Sequence, residues 1–267
     1  MIGCGFAVTS NHTIFVMRKL YIDCRSGASG DMFLGAFVDL GVPEKVLVDR
    51  LASLGLNEFA LDINKREYKG YTVTDVDVVL YDKENAWTHP YSGKYRNYAQ
   101  IKEILNSSDL SDNAKALARK IFDIKAEAES TVHGVAIDEV QFHEVGAIDS
   151  IVDITGAAIC CDYLNIDKVS ATSVPTGYGT ILCAVGELPV PPPAVREILD
   201  KKEIPHYRSD VEMELLTPTG ASILAGIVDE YIDNIDTSHC DIISIGRGTG
   251  KRESGLEPLT LMLVDCK

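Results

Sequence analysis

The strongest constraint on the fold is the alternation of two kinds of segment along the chain. Residues 20–23 form a short apolar segment typical of a buried strand, whereas residues 31–40 have helical character and stop at Gly41. In residues 72–80, polar and apolar side chains alternate, which indicates a strand with one solvent-exposed face. Strands and helices mixed in this way predict an α/β fold of the mixed α+β type, a compact domain with a sheet flanked by helices.

The same patterns predict the remaining elements. Ser111 is a typical N-cap residue for a long helix, and Gly134 is suited to its left-handed C-cap. Further helices are expected at residues 43–54, 99–105, 150–164, 219–231 and after the proline-rich segment 189–193, and strands at residues 59–63, 168–174, 180–183, 242–245 and 259–264.

Domain organisation follows from length and from two irregular segments. A chain of 267 residues with no internal repeat and no long linker favours one domain over residues 17–267 rather than two. Residues 1–16 resemble no signal peptide, and we expect them to be an extension before a natural start at Met17, which mass spectrometry of the native protein would test. Residues 82–98 are polar and aromatic, and we expect an exposed, mobile loop there.

Charge and cysteine usage exclude several classes of protein. With 25 basic and 40 acidic residues the formal net charge is −15, so nucleic acid is not an expected partner. No run of 18 apolar residues is present, so we expect no membrane span. The seven cysteines are scattered and contain no CxxC pair, which favours reduced thiols in a cytoplasmic protein.

Two acidic clusters could carry chemistry. The segment from Asp23 to Asp31 lies between a strand and a helix, and its small residues would let backbone N–H groups hold a phosphate with a bound metal ion. The second cluster contains His143, Glu144, Asp149 and Asp153. The two aspartates are four residues apart on one helix face, where a divalent cation would offset their repulsion. The alternatives are a tight turn in the first case and a solvated face in the second.

Two further segments could bind an anion. Thr217 and Thr219 lie at the start of a predicted helix whose free N-terminus could hold an anionic group, although capping alone explains most of this pattern. Arg247, Lys251 and Arg252 lie among three glycines, which favours a phosphate site, but the segment lacks the Walker and Rossmann spacings. A solvated hairpin remains the alternative.

Six stretches between about residue 20 and residue 264 stand out as motifs: YIDCRSGASGDMFLGAFVDLG, EAESTVHG, FHEVGAIDSIVDITGAA, GELPVPPPA, ELLTPTGASIL and IGRGTGKRE. In these stretches, which occur in family order, the chain resembles the LarC-type nickel-insertion proteins, which act in biosynthesis of the nickel-pincer cofactor of lactate racemase. The resemblance implies CTP-dependent insertion of nickel into a pyridinium-3,5-bisthiocarboxylic acid mononucleotide, with nickel–sulfur and nickel–carbon bonds formed. The family pattern has histidines at positions 141 and 185 and a histidine-rich tract at 82–98; Gln141, Val185 and a tract with only His89 depart from it.

The resemblance also implies roles for the residues named above. As the N-terminal module of a two-part insertase, a lyase, the chain would use CTP bound by a C-terminal partner region. The catalytic candidates are Asp23, Asp31, His143 and Glu144; the substrate-binding candidates are Ser29, Gly30, Thr217, Thr219, Arg247, Lys251 and Arg252; and the metal candidates are His143, Glu144, Asp149 and Asp153. Nickel is the expected metal, with magnesium or manganese also compatible with the carboxylates. The alternatives are a non-catalytic metal-delivery or partner-binding module and a metal-dependent nucleotide hydrolase.

Overall fold

The computed structural model describes residues 16–81, 96–142, 146–183 and 186–266. The α-helices of these residues are α1 (Gly30–Leu40), α2 (Glu44–Ala52), α3 (Tyr98–Ser107), α4 (Asp112–His133), α5 (Gly146–Leu164), α6 (Pro193–Lys201) and α7 (Pro218–Ile227). The strands are β1 (Met17–Asp23), β2 (Phe59–Tyr68), β3 (Tyr71–Leu80), β4 (Lys168–Ala171), β5 (Val174–Pro175), β6 (Thr180–Cys183), β7 (Gly186–Pro189), β8 (His206–Tyr207), β9 (Glu230–Tyr231), β10 (Cys240–Gly248) and β11 (Leu259–Cys266). The predicted mixed α/β class is confirmed.

A seven-stranded mixed sheet forms the centre of the fold. Its strand order is β2-β3-β10-β11-β1-β4-β9, and β5–β8 and β6–β7 form two separate pairs. Strand β11 is the antiparallel neighbour of β1 over all seven residues of β1, with Met17 opposite Cys266 and Asp23 opposite Thr260. Strand β1 is also parallel to β4, so the first and last strands of the described chain both lie in the middle of the sheet.

Helix α1 packs directly on the sheet because glycines on both sides remove the side chains between them. A Cβ atom on Gly248 of β10 would lie 2.0 Å from the Met32 carbonyl oxygen, and one on Gly246 would lie 2.2 Å from that of Ala36. Gly35 on the helix approaches the Thr74 carbonyl of β3 in the same way. Helix α5 packs on α1, and α4 packs on α5, α6 and α7, so the apolar core lies among these helices and the sheet.

The predicted caps of the long helix are confirmed, and they follow from local chemistry. The Ser111 side chain accepts a hydrogen bond from the Ala114 N–H at 3.1 Å, which satisfies one of the free donors of the first turn of α4. Gly134 ends the helix in the left-handed conformation, with φ of 67°, and its N–H donates to the Ser130 carbonyl.

Several predicted boundaries were wrong. Helix α7 ends at Ile227 rather than at residue 231, because Val228 is extended and β9 pairs with β4. The predicted strand at 242–245 is the longer β10, which contains Arg247, and the predicted strand at 168–174 splits into β4 and β5. Helix α5 begins at Gly146, four residues earlier than predicted.

Parts of the irregular segments can be placed. Asn97 caps α3 and Tyr98 begins it as a buried residue, so the last residue of the predicted loop at 82–98 belongs to a helix. Residues 82–95, and residues 1–15 of the predicted extension, lie outside the described residues. Within the described ranges, we find no helix long and apolar enough to cross a membrane.

The expectation that the cysteines are reduced was wrong for one pair. Cys240 and Cys266 face each other across β10 and β11, with Cα atoms 4.2 Å apart, and are joined by a disulfide bond. Cys24, Cys160 and Cys161 are free and buried, as residues of an apolar core are expected to be.

Candidate functional site

A cavity of about 550 Å³ lies where the N-terminal ends of three helices meet. Gly30, Pro193 and Pro218, which begin α1, α6 and α7, all line it. Asp149 and Ser150 add the beginning of α5 to the wall. Because helix N-termini carry partial positive charge, this arrangement favours anionic groups in the cavity. The volume lies within the range of roughly 300–1,000 Å³ that is typical of small-molecule sites.

Three carboxylates form the acidic floor of the cavity: Asp31 on α1, and Asp149 and Asp153 one turn apart on α5. Asp31 is held in place, because its Oδ1 accepts hydrogen bonds from the Ser29 hydroxyl and from the Met32 N–H, and its Oδ2 accepts one from the Lys251 N–H at 3.2 Å. Asp153 lies against Gly30, where a Cβ atom would be 2.1 Å from its Oδ2. The absence of a side chain at Gly30 therefore makes room for the Asp153 carboxylate.

Burial dominates the acidity of this floor. Desolvation raises the pKa of Asp149 to about 6, and the charges of Asp31 and Asp77 add to the shift. Desolvation also raises the pKa of Asp31, although its bond with Ser29 opposes the shift. The pKa of Asp153 is raised well above its usual value by burial and by the charges of Asp31 and Asp149. The floor therefore favours a bound cation or protons over three free negative charges.

Lys251 is the cation nearest this floor. Its Nζ lies 3.8 Å from Asp149 Oδ2 and 3.6 Å from Asp77 Oδ1. Burial lowers the pKa of Lys251, but the carboxylates, of which Asp149 contributes most, outweigh burial and raise it above its usual value. Lys251 therefore stays charged in the wall of the cavity.

Arg66 of β2 adds a second basic group on the same side. Its guanidinium donates to Thr249 Oγ1 at 3.0 Å and to Glu253 Oε1 at 3.2 Å, and it also binds Asp75. Arg66, Arg252, Thr249 and Glu253 all line the cavity. This side of the cavity therefore presents cations that are already oriented by neighbouring acceptors.

Part of the cavity lining is apolar. It includes an apolar wall made of Ile181, Leu182, Leu188, Pro192, Met213 and Leu215, which come from the β6–β7 pair and the segments around it. An apolar wall together with acidic and basic groups suits a ligand that combines a ring with charged substituents.

The structure brings together most of the residues selected from the sequence. Those lining the cavity are Ser29, Gly30, Asp31, Asp149, Asp153, Thr217, Thr219, Lys251 and Arg252. Asp23 and Arg247 are not among the lining residues: Asp23 binds Arg25, and the Arg247 guanidinium lies 4.7 Å from the centre of the Tyr71 ring. His143 and Glu144 lie outside the described residues. Within the described part of the chain, no group of three or more His, Cys, Asp or Glu side chains is placed to hold a metal ion.

Sequence reasoning missed Arg66, Ser150 and Lys125. Lys125 is 1% exposed and hydrogen-bonds to Ser150 and Thr219 of the cavity wall. The available signal was its position, because Lys125 interrupts the apolar face of α4 between Ile121 and Ala128. Charged residues are rarely buried without a function or a partner.

Comparison with known proteins decides the family. The family model described as "Nickel insertion protein" matches residues 20–265. The chain belongs to this nickel insertion family. It is 44% identical over 239 residues to a relative from Acetivibrio thermocellus and 46% identical over 241 residues to one from Clostridium kluyveri, both named pyridinium-3,5-bisthiocarboxylic acid mononucleotide nickel insertion protein. A putative nickel insertion protein from Dictyoglomus thermophilum is 36% identical over 237 residues.

The family relatives are longer than the aligned region. The alignments cover 90%, 89% and 89% of this chain but only 58%, 59% and 58% of those three relatives, so the chain spans less than two thirds of their length. No solved structure matches the chain.

Proposed function

We propose that this chain inserts nickel into a pyridinium-3,5-bisthiocarboxylic acid mononucleotide, and that the cavity is the site. Family membership supports the reaction class, and the relatives named above carry the name of that reaction. The observation that carries the assignment to the cavity is the pairing of a carboxylate floor with Lys251 and an apolar wall. A pyridinium mononucleotide has matching parts: a flat ring, a cation, and negative phosphate and thiocarboxylate groups.

In this proposal the acidic floor receives the positive charge. Nickel is a substrate of the reaction, and Asp149 and Asp153 offer it oxygen ligands at the start of α5. His143 and Glu144 precede α5 by a few residues in the sequence and are proposed to complete the ligand set. Formation of a nickel–carbon bond, which the resemblance implies, releases the ring hydrogen as a proton, and Asp31 is the proposed acceptor.

The partner proposals concern the part of the relatives that this chain does not span. CTP is proposed to bind a C-terminal region outside residues 1–267, and magnesium or manganese would accompany the nucleotide. A cytoplasmic location remains part of the proposal, and the Cys240–Cys266 disulfide is the feature that opposes it. Thiol titration of the native protein under non-reducing conditions measures whether this pair is oxidised.

The assay that tests the reaction follows nickel in the mononucleotide product by mass spectrometry. We expect Asp153→Asn to abolish insertion, because it removes a buried carboxylate that faces the ligand space. Asp200→Asn is the matched control, since Asp200 is exposed on α6 and does not line the cavity. Full activity of a folded Asp153→Asn variant would contradict the assignment, and phosphate release without nickel would favour a nucleotide hydrolase instead.

A second prediction separates basic residues that were selected together from the sequence. Lys251→Ala should weaken mononucleotide binding about tenfold or more, because a charge-assisted bond contributes roughly 1.5–3 kcal/mol. Arg247→Ala should change binding less than threefold, since its guanidinium rests on Tyr71 outside the cavity. Titration calorimetry of both variants measures the difference. Equal losses in the two variants would show that the cavity is not the binding site.

A further inference from the structure

A buried lysine lies directly behind the cavity wall. Lys125 Nζ donates to Ser150 Oγ at 2.7 Å and to Thr219 Oγ1 at 2.9 Å, and it lies 5.3 Å from the centre of the Phe142 ring. No carboxylate of the described residues lies within ion-pair distance of this ammonium group. The charges of Asp149 and Asp153 interact with it over a longer distance. A buried cation without a direct ion pair is costly unless another group compensates it.

The two hydroxyl groups transmit this charge to the cavity. Ser150 and Thr219 both line it, whereas Lys125 does not. Each hydroxyl oxygen accepts a hydrogen from the ammonium, so each hydroxyl still has its own hydrogen to donate. The two oxygens are 3.4 Å apart, and only one of them can donate to the other. In the described residues no other acceptor is found for either hydroxyl, so at least one O–H is available to a ligand.

The backbone around Thr219 adds to the positive electrostatic potential that Lys125 creates at the two hydroxyl groups. Thr219 lies in the first turn of α7, where Thr217 caps the Gly220 N–H at 3.0 Å. The partial positive charge of this helix end and the charge of Lys125 therefore act on one place. The acidic floor begins at Asp149, the residue next to Ser150, and continues with Asp153 one turn further along α5. The cavity lining therefore contains hydroxyl donors supported by a cation next to carboxylates.

We propose that Lys125, Ser150 and Thr219 form a subsite for an anionic oxygen group of the substrate, a phosphate or a carboxylate. The proposal rests on the proposed function and orients the substrate, because the anionic group lies over the hydroxyl pair while the metal lies over the acidic floor. Ser150 and Thr219 contact the ligand, and Lys125 is a positioning residue that acts through them.

The test uses titration calorimetry of the metal-free chain with three probes. Nicotinate mononucleotide carries a phosphate and a carboxylate, nicotinamide mononucleotide carries the phosphate only, and nicotinate riboside carries the carboxylate only. We expect Lys125→Met and Thr219→Val to weaken binding of the probe with the recognised group about tenfold or more, while the probe without that group is unaffected. Thr219→Ser should restore binding, because it restores the hydroxyl.

Every outcome bears on the subsite. Loss confined to the two phosphate-bearing probes assigns it to phosphate, and loss confined to the two carboxylate-bearing probes assigns it to carboxylate. Two outcomes would overturn the subsite: unchanged binding of the probes in folded Lys125→Met and Thr219→Val proteins, or an equal loss of binding for all three probes. Neither outcome would contradict nickel insertion as the proposed function. If the wild type binds none of the probes, the subsite is also overturned. Lys125-dependent binding without nickel insertion in the product assay would instead overturn only the proposed function.

Discussion

Substitution of Gly248 by alanine is expected to destabilise the protein by about 3 kcal/mol or more. The new Cβ atom would lie 2.0 Å from the Met32 carbonyl oxygen and 2.6 Å from the Ala36 nitrogen, both in the backbone of α1. Because backbone atoms of a packed helix cannot move independently, α1 would have to shift away from β10. Overpacking of this kind typically costs about 1–3 kcal/mol and occasionally more.

Urea denaturation monitored by circular dichroism measures this effect. Gly250→Ala is a suitable control in the same segment, because the nearest heavy atom to its Cβ is 3.6 Å away and belongs to the flexible Met32 side chain. If Gly248→Ala and Gly250→Ala unfold at the same urea concentration, the close packing of α1 on β10 is incorrect.

The metal-free protein is expected to lose stability as the pH rises through the range from 4 to 6. The pKa of Asp149 is raised from 3.8 to about 6 by burial, so in this range the native state binds more protons than the unfolded state. The free energy of unfolding then falls with increasing pH. The loss from this group is about 3 kcal/mol by pH 7, at 1.36 kcal/mol per pKa unit, and its side chain is only 19% exposed.

Asp149→Asn should flatten this profile and make the metal-free protein more stable at pH 7 than the wild type, while impairing function. Asp265→Asn is a control, because the Asp265 carboxylate changes the free energy of unfolding with pH in the opposite direction. Its bond with Arg18 lowers the pKa of Asp265, so that carboxylate stabilises the fold above its titration range and loses this contribution in more acidic solution. Urea titrations between pH 2 and pH 8 test both variants, because the Asp265 contribution is lost only below about pH 3.8. An unchanged slope in Asp149→Asn would contradict the burial of its carboxylate.

The sequence was most informative where a pattern is local. Alternation predicted β3, and cap residues predicted both ends of α4, because these signals depend on neighbours in the chain. The boundaries of α7 and β10 were wrong because pairing with distant strands determined them. No local pattern indicates that the helix ends before Val228, where the chain becomes extended and then forms β9 beside β4.

At the site, too, a local pattern was not enough, as the glycines near Arg247, Lys251 and Arg252 show. From the sequence, Gly246 and Gly248 favoured a phosphate-binding loop, but both lie in a strand and admit the backbone of α1. Lys251 and Arg252, a few residues later, do line the cavity. Lys125 was missed for the opposite reason, since its hydroxyl partners are 25 and 94 residues away in the chain. Residue types identified the candidates, but only tertiary packing separated those in the cavity from those outside it.

The pairing of β1 with β11 determines where an affinity tag or a fused domain lies relative to the cavity. Pro258 lines the cavity, and β11 runs from there to Cys266, a distance of about 25 Å at the usual rise per strand residue. Met17 lies beside Cys266, so the start of β1 and the end of β11 both lie at the end of this strand pair that is far from the cavity. An affinity tag or fused domain after residue 267 would leave the cavity unobstructed. A fused domain meant to contribute residues to the cavity would need a tether of about eight extended residues to reach back.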